Sequence, residues 1–219
     1  MSTDEARREP FGLMSPAALR MCERVLTEYE PPAWKDMLAI FQCSIRRPYS
    51  RSPSHGSMRK AIRLATGSDP WREFEQCRCH VVVLSSYIGP VPYELENVHP
   101  ANVRGGGVRH MADEQYAAAR PILARRMAAY LEQHHHRYRL MTTFTYGRYA
   151  EVIRDAQELA GLDFPVLPEP DGLRVRDARQ YWVKYWPQLF FELLEGMTKD
   201  ECATAIARLE REGLQFESP

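Results

Sequence analysis

The sequence predicts an α/β fold: a three-layer sandwich around a small, mostly parallel sheet, with a helix-rich C-terminal portion. Three observations carry this expectation. The run Val81-Val82-Val83-Leu84 within residues 80–86 is continuously apolar, the pattern of a strand buried on both faces. A long helical segment (112–132), a strand candidate (138–145) and a second helix (148–160) follow in that order. Such alternation builds a parallel sheet with right-handed crossovers. Beyond residue 175 the chain turns helical and aromatic, with Tyr181, Trp182, Tyr185, Trp186, Phe190 and Phe191.

Taken in order, residues 16–29 start at Pro16 and carry Leu19, Cys22, Val25, Leu26 and Tyr29 at helical spacing, with Pro31-Pro32 as a stop. A second helix is expected from Trp34, fading at Cys43. Residues 43–57 have neither period and are rich in Ser, Pro and Arg, which predicts a loop; a short basic helix is expected over 58–66. The strand at 80–86 leaves through the turn-rich Ser85-Ser86-Tyr87-Ile88-Gly89-Pro90. In the long helix, Ala117, Ile122, Leu123 and Met127 are candidate core positions. The strand at 138–145 leaves through Gly147, and 164–167 is a third, short strand candidate. Near the C-terminus, Thr198 and Glu201 have capping-box spacing, and Ala203, Ile206 and Leu209 repeat at intervals of three. That predicts a packing or dimerisation helix.

A chain of 219 residues, 44% of them hydrophobic, suits one domain over 1–219 with an adequate core. The 29 basic and 29 acidic residues balance, so any attraction to phosphate must come from a local basic surface. No apolar run reaches membrane-spanning length and the polar start is unlike a signal peptide. Five cysteines, an odd number, argue against a disulfide framework and predict a reducing, cytoplasmic location.

Parallel sheets bind ligands beyond the carboxyl ends of their strands, here the segments starting at Ser85 and Thr145. Two stretches near such positions can carry chemistry. The loop 43–55 holds Cys43, Arg46, Arg47, Tyr49, Arg51, Ser52, Ser54 and His55. Arginines and hydroxyls suit phosphate oxygens, and Cys43 with His55 could form a nucleophile and proton-transfer pair; a solvated basic loop is the plainer alternative. The segment 89–96 (GPVPYELE) supplies Glu94 and Glu96, and a carboxylate matches the two adjacent donors of a guanine-type base; otherwise both are merely solvated. Tyr146 could stack on a base and Arg148 touch phosphate, with a capped structural turn as the alternative. Arg104 and the glycines 105–107 lack the lysine of a phosphate-binding loop and read as a flap. Cys77-Arg78-Cys79-His80 and His134-His135-His136 have no usual zinc spacing, so no metal is expected.

The order Cys43, three residues, Arg47-Pro48-Tyr49, two residues, Ser52, two residues, His55 resembles the core signature of the archaeosine synthase family. There a cysteine is followed by Lys-Pro-Tyr, serine and histidine at the same spacings. The GPVPYELE segment and His99-Pro100-Ala101 are similar to a second block of that core, so the resemblance covers roughly residues 35–160, leaving a helical C-terminal extension at about 175–215. Two positions depart from it: the lysine is Arg47 and the proline before the cysteine is Gln42.

The resemblance implies chemistry at the nitrile of 7-cyano-7-deazaguanine within a nucleic acid. A cysteine thiolate can add to the nitrile carbon while a proton donor such as His55 neutralises the nitrogen, and water then yields an amide while an amine yields an amidine; direct acid–base activation of water, with Cys43 only packing, is the alternative. The expectation drawn is a stand-alone bacterial or phage DNA-modification enzyme that hydrates the nitrile in DNA, working with other proteins of the same system and without cofactor or membrane. Attachment of an amine donor to the same base in tRNA is one alternative; a non-catalytic or glycosylase-like deazaguanine-binding protein is another. The expected site comprises Cys43, His55 and Glu94 as catalytic groups and Arg47, Tyr49, Ser52, Ser54, Tyr87 and Glu96 as substrate contacts. Arg46, Arg51, Arg104 and Arg148 would contact the backbone.

Overall fold

The computed structural model describes residues 12–103, 107–168 and 178–214. Its five strands are β1 (Met37–Gln42), β2 (Cys79–Ser85), β3 (Gly89–Pro92), β4 (Leu140–Phe144) and β5 (Val166–Leu167). They form one sheet in the order β3-β2-β1-β4-β5, parallel except for β3, which runs antiparallel to β2. The helices are α1 (Pro16–Thr27), α2 (Pro53–Thr66), α3 (Asp113–His134), α4 (Arg148–Ala160), α5 (Ala178–Glu195) and α6 (Lys199–Arg211). Helices α2, α5 and α6 pack together as one layer, and α1, α3 and α4 as the other. The three-layer α/β sandwich expected from the sequence is what the chain adopts.

Two elements differ from the sequence-based expectation. Residues 34–43 do not form a helix: Met37–Gln42 is the central strand, buried along its whole length. A short apolar run carries no period that separates a strand from a buried helix segment, and pairing on both edges decides the outcome. Residues 89–92 are not a loop but β3. Its two prolines lack an N–H, which an edge strand tolerates, and it pairs from Val82↔Pro92 to Ser85↔Gly89.

Helix α2 also starts earlier than expected, at Pro53, because Ser52 caps it by accepting the His55 N–H at 3.2 Å. The capping box of α6 is present: Thr198 Oγ1 accepts from the Glu201 N–H and Glu201 Oε2 accepts from the Thr198 N–H. Ala205 and Leu209 of α6 are buried, and Arg208 donates to the carbonyls of Leu64 and Ala65. In α5, Trp186, Phe190 and Leu193 are buried in the core, while the side chains of Tyr181 and Trp182, Arg104 and glycines 105–106 lie outside the described residues.

Helix α5 ends against the sheet. A Cβ on Gly196 would sit 2.9 Å from Leu140 Cβ and 3.2 Å from Met37 Cε, and Leu140 Cβ is fixed to the β4 backbone. Gly196→Ala is therefore expected to destabilise the protein by about 1–3 kcal/mol through overpacking, seen as a lower urea midpoint at unchanged slope.

The topology fixes where a site can form. From β1 the chain crosses through α2 to β2 and β3, then returns through α3 to β4 on the other side of β1. The order reverses at β1, so the crevice lies beyond the carboxyl ends of β1 and β4.

Candidate active site

Cys43 is the first residue after β1 and stands at this reversal, its N–H bonded to Leu84 O at 3.1 Å. The residue is only 8% exposed. Arg47 folds back so that Nη2 donates to Cys43 Sγ at 3.2 Å. Its Nε donates to Ala101 O at 2.9 Å and its Nη1 to Ser44 O. Ser86 Oγ, at the end of β2, lies 4.0 Å from the sulfur. From the start of α4, the Tyr149 phenol accepts the Val108 N–H at 3.3 Å and comes close enough to Cys43 and Ser86 to interact with both. Tyr49 lies beneath the Arg47 guanidinium, 4.0 Å from it.

His55 does not reach the sulfur's hydrogen-bonding shell. Its Nε2 is 3.0 Å from the Gln42 carbonyl, which can only accept, so Nε2 carries the proton. Nδ1 then accepts from the Tyr93 hydroxyl at 2.7 Å. The ring is fully buried, stacked between Tyr49 and Tyr93 with Phe41 edge-on. Burial, reinforced by Arg47 and Arg59 and partly offset by the Gln42 carbonyl, pushes its pKa down to about 3. A neutral imidazole with both nitrogens committed to Gln42 and Tyr93 braces α2 against β1 in this structure.

This has a measurable consequence. A histidine whose folded pKa is depressed stabilises the fold above its unfolded value of about 6.5 and loses that contribution as pH falls toward the folded value. Between pH 6.5 and about 3, His55 should therefore contribute up to about 1.4 kcal/mol of lost stability per pH unit. Denaturation midpoints followed against pH should fall less steeply over this range in His55→Gln than in the wild type.

The two carboxylates part company. Glu96 is buried and accepts the Ser50 N–H at 2.8 Å and the Ser50 hydroxyl, holding the turn after Pro48. Burial pushes its pKa up against these bonds. Glu94 does not join the site. Its Oε1 accepts from Tyr29 at 2.8 Å and lies 3.3 Å from His80 Nε2. His80 in turn contacts the Tyr138 hydroxyl. Burial pushes the Glu94 pKa up, but bonds from His80 and Tyr29 hold it below the usual value. His80 lies four residues before Leu84 on β2, about 13 Å along the strand, so Glu94 belongs to a buried cluster at the far end of the sheet.

Of the other expected contacts, Ser52 caps α2 and bonds Ser54 at 3.1 Å. Arg46 and Arg51 are exposed on the loop. Arg148 is engaged internally, donating to Val108 O, Met111 O and Asp113. Tyr87 lines a cleft of about 490 Å³ together with Leu13, Met14, Gly107, Met111 and Ile122. This cleft adjoins the site at two points. Tyr87 follows Ser86, and Gly107 packs so closely on Tyr149 that a Cβ would lie 2.8 Å from its hydroxyl. No three His, Cys, Asp or Glu side chains among the described residues are grouped to hold a metal ion. Tyr93 and Tyr149 escaped the sequence reading, although Tyr149 follows the Gly147 exit, where a helix start turns early side chains toward the strand ends.

Residues 18–173 match the family model described as "Domain of unknown function (DUF5591)". The chain is 31% identical over 150 residues to archaeosine synthase subunit alpha of Thermococcus kodakarensis, covering 68% of this chain and 24% of that protein. It is 32% identical over 145 residues to the subunit alpha of Methanosarcina acetivorans, covering 66% and 21%. With archaeosine synthase of Haloferax volcanii it shares 34% over 82 residues, covering 37% and 12%. The chain thus spans less than a quarter of the length of these relatives. A crystal structure of a protein of unknown function superposes with a TM-score of 0.48 at 17% identity, covering 91% of this chain and 59% of that one. With the Cys43–His55 block and the 89–101 block interlocked through Arg47–Ala101, Ser50–Glu96 and His55–Tyr93, and with the family match across most of its length, the chain belongs to the DUF5591 family and is related to the core domain of the archaeosine synthases.

Proposed function

We propose that this domain adds water to the nitrile of 7-cyano-7-deazaguanine carried in DNA, giving the carboxamide, as part of a bacterial or phage DNA-modification system. The observation that supports it most is the seat of Cys43, a nucleophile at the strand-order reversal with an arginine donor on its sulfur at 3.2 Å. A nitrile carbon is electrophilic, and sulfur addition gives a thioimidate that water converts to the amide. No redox change occurs, so no redox carrier is needed. Arg47 keeps its charge and cannot act as a neutral amine, which suits a role in holding the sulfur. Arg46 and Arg51 are exposed on the same loop, and in this reading they would meet phosphate. A base inside a duplex would have to be extruded to reach such a crevice.

The relatives, all archaeosine synthases or their alpha subunits, favour a second reading, in which an amine attacks the same carbon in tRNA and gives an amidine. Nucleoside mass spectrometry separates the two, using DNA and tRNA that carry the nitrile base, with and without lysine or glutamine. Gain of one water in DNA supports hydration, and an amine adduct confined to RNA supports the second reading. Loss of the base points to a glycosylase. An unchanged base in both polymers overturns the catalytic readings and leaves base binding.

A further inference from the structure

Addition of sulfur to a nitrile needs a partner that gives the nitrogen a proton. Within the Cys43 site the obvious candidates are committed. His55 has both nitrogens engaged on Gln42 and Tyr93, and Arg47 holds its protons too tightly to transfer one. Tyr149 is left. It sits in the first turn of α4 and is only 2% exposed. Its hydroxyl oxygen accepts the Val108 N–H at 3.3 Å, so its own proton points elsewhere, and Cys43 and Ser86 are among the groups close enough to act on it. Gly107 lies against the same hydroxyl, and any side chain there would collide with it.

Resting on the nitrile-addition reading above, we propose that Tyr149 is the proton-transfer residue of the Cys43 site. As the S–C bond forms and one π bond of the nitrile breaks, the phenol gives its proton to nitrogen and takes the thiol proton in its place. When water attacks the thioimidate carbon, one of its protons goes to the imine nitrogen, which becomes the amide NH2; the C–S bond breaks as the C=O forms, and the same hydroxyl passes the second water proton to sulfur. The sum is nitrile plus water giving carboxamide, with enzyme unchanged. Burial, with Cys43 adding to it, pushes the Tyr149 pKa well above the ordinary phenol value, so the group carries its proton at neutral pH as a donor must.

Tyr149→Phe removes only the hydroxyl, and two measurements on the full chain test it. The first is turnover on DNA carrying the nitrile base: kcat should fall about 100-fold or more with KM within about twofold, because the hydroxyl acts in the transition state rather than in substrate binding. A kcat within about threefold of wild type overturns the proposal. The second needs no substrate: Cys43 alkylation by iodoacetamide, read by peptide mass spectrometry at temperatures where both proteins are folded by circular dichroism. The rate should differ at least roughly threefold between the two proteins, since a phenol that exchanges a proton with the sulfur has been lost. If wild type leaves the nitrile untouched, the functional reading falls by itself. The alkylation rates then decide the role of Tyr149, and equal rates overturn it.

Discussion

Cys43→Ala should abolish nitrile modification, lowering kcat/KM by at least about 1,000-fold, while the protein stays folded. The separation of the two effects follows from how the sulfur is held. Its main polar partner, Arg47, keeps its bonds to Ala101 O and Ser44 O when the sulfur is gone, so the loop retains its anchor. The lost side-chain volume is one sulfur atom, a change of about 1 kcal/mol. Cys43→Ser sharpens the test: a hydroxyl can still accept from Arg47 Nη2, yet at neutral pH it is a far poorer nucleophile than a thiol. Both variants should be inactive by nucleoside mass spectrometry, with the serine protein melting closer to wild type. Turnover by Cys43→Ala within about tenfold of wild type would mean that water attacks the nitrile directly and that the thiol only packs.

Where the sequence was legible, one pattern excluded the others. The run Val81–Leu84 became β2, the alternation after it became α3, β4, α4 and β5, and Thr198 with Glu201 marked the start of α6. β1 was hidden because Met37–Phe41 is apolar without a period, and only its two neighbouring strands make it a strand. The spacing from Cys43 to His55 could be read, but not the direction of the side chains. Ser52-Pro53 is a cap followed by proline at the first helical position. Starting α2 there would have placed His55 in its first turn, beside the end of β1. Glu94 and Glu96 would share a face on a strand. Across the short 3₁₀ turn Tyr93–Leu95, which Glu96 ends, they diverge, one to Tyr29 and His80, the other to Ser50. Tyr149 enters the site only because β4 lies beside β1, a long-range neighbourhood that no local pattern encodes.

The largest loss of stability is expected from Asp69→Ala. Asp69 and Arg59 are each 8% exposed and form a two-pronged pair, Nε to Oδ1 at 3.0 Å and Nη2 to Oδ2 at 2.5 Å. Asp69 also accepts the N–H groups of Trp71 and Arg72. Removing the carboxylate leaves a buried guanidinium without its counter-charge, at a cost of about 3–5 kcal/mol. The exposed pair Arg63–Glu212 should yield no more than about 1 kcal/mol. The same change should reach the active site, because Arg59 Nη1 holds Ser50 O at 2.8 Å and Ser50 is in turn held by Glu96, in the turn between Cys43 and His55. Burial raises the Asp69 pKa, but Arg59 and the two N–H groups bring it below the usual carboxylate range. Its charge contribution is therefore complete above the unfolded carboxylate pKa and fades only as pH falls through the lower folded value. Urea titrations at pH 7 should show the full difference between wild type and Asp69→Ala, shrinking only in strong acid. The double variant Arg59→Met/Asp69→Leu, which removes both charges, should be less destabilised than Asp69→Ala. A loss below about 1 kcal/mol for Asp69→Ala would show that water reaches the guanidinium and that the pair does not brace the loop.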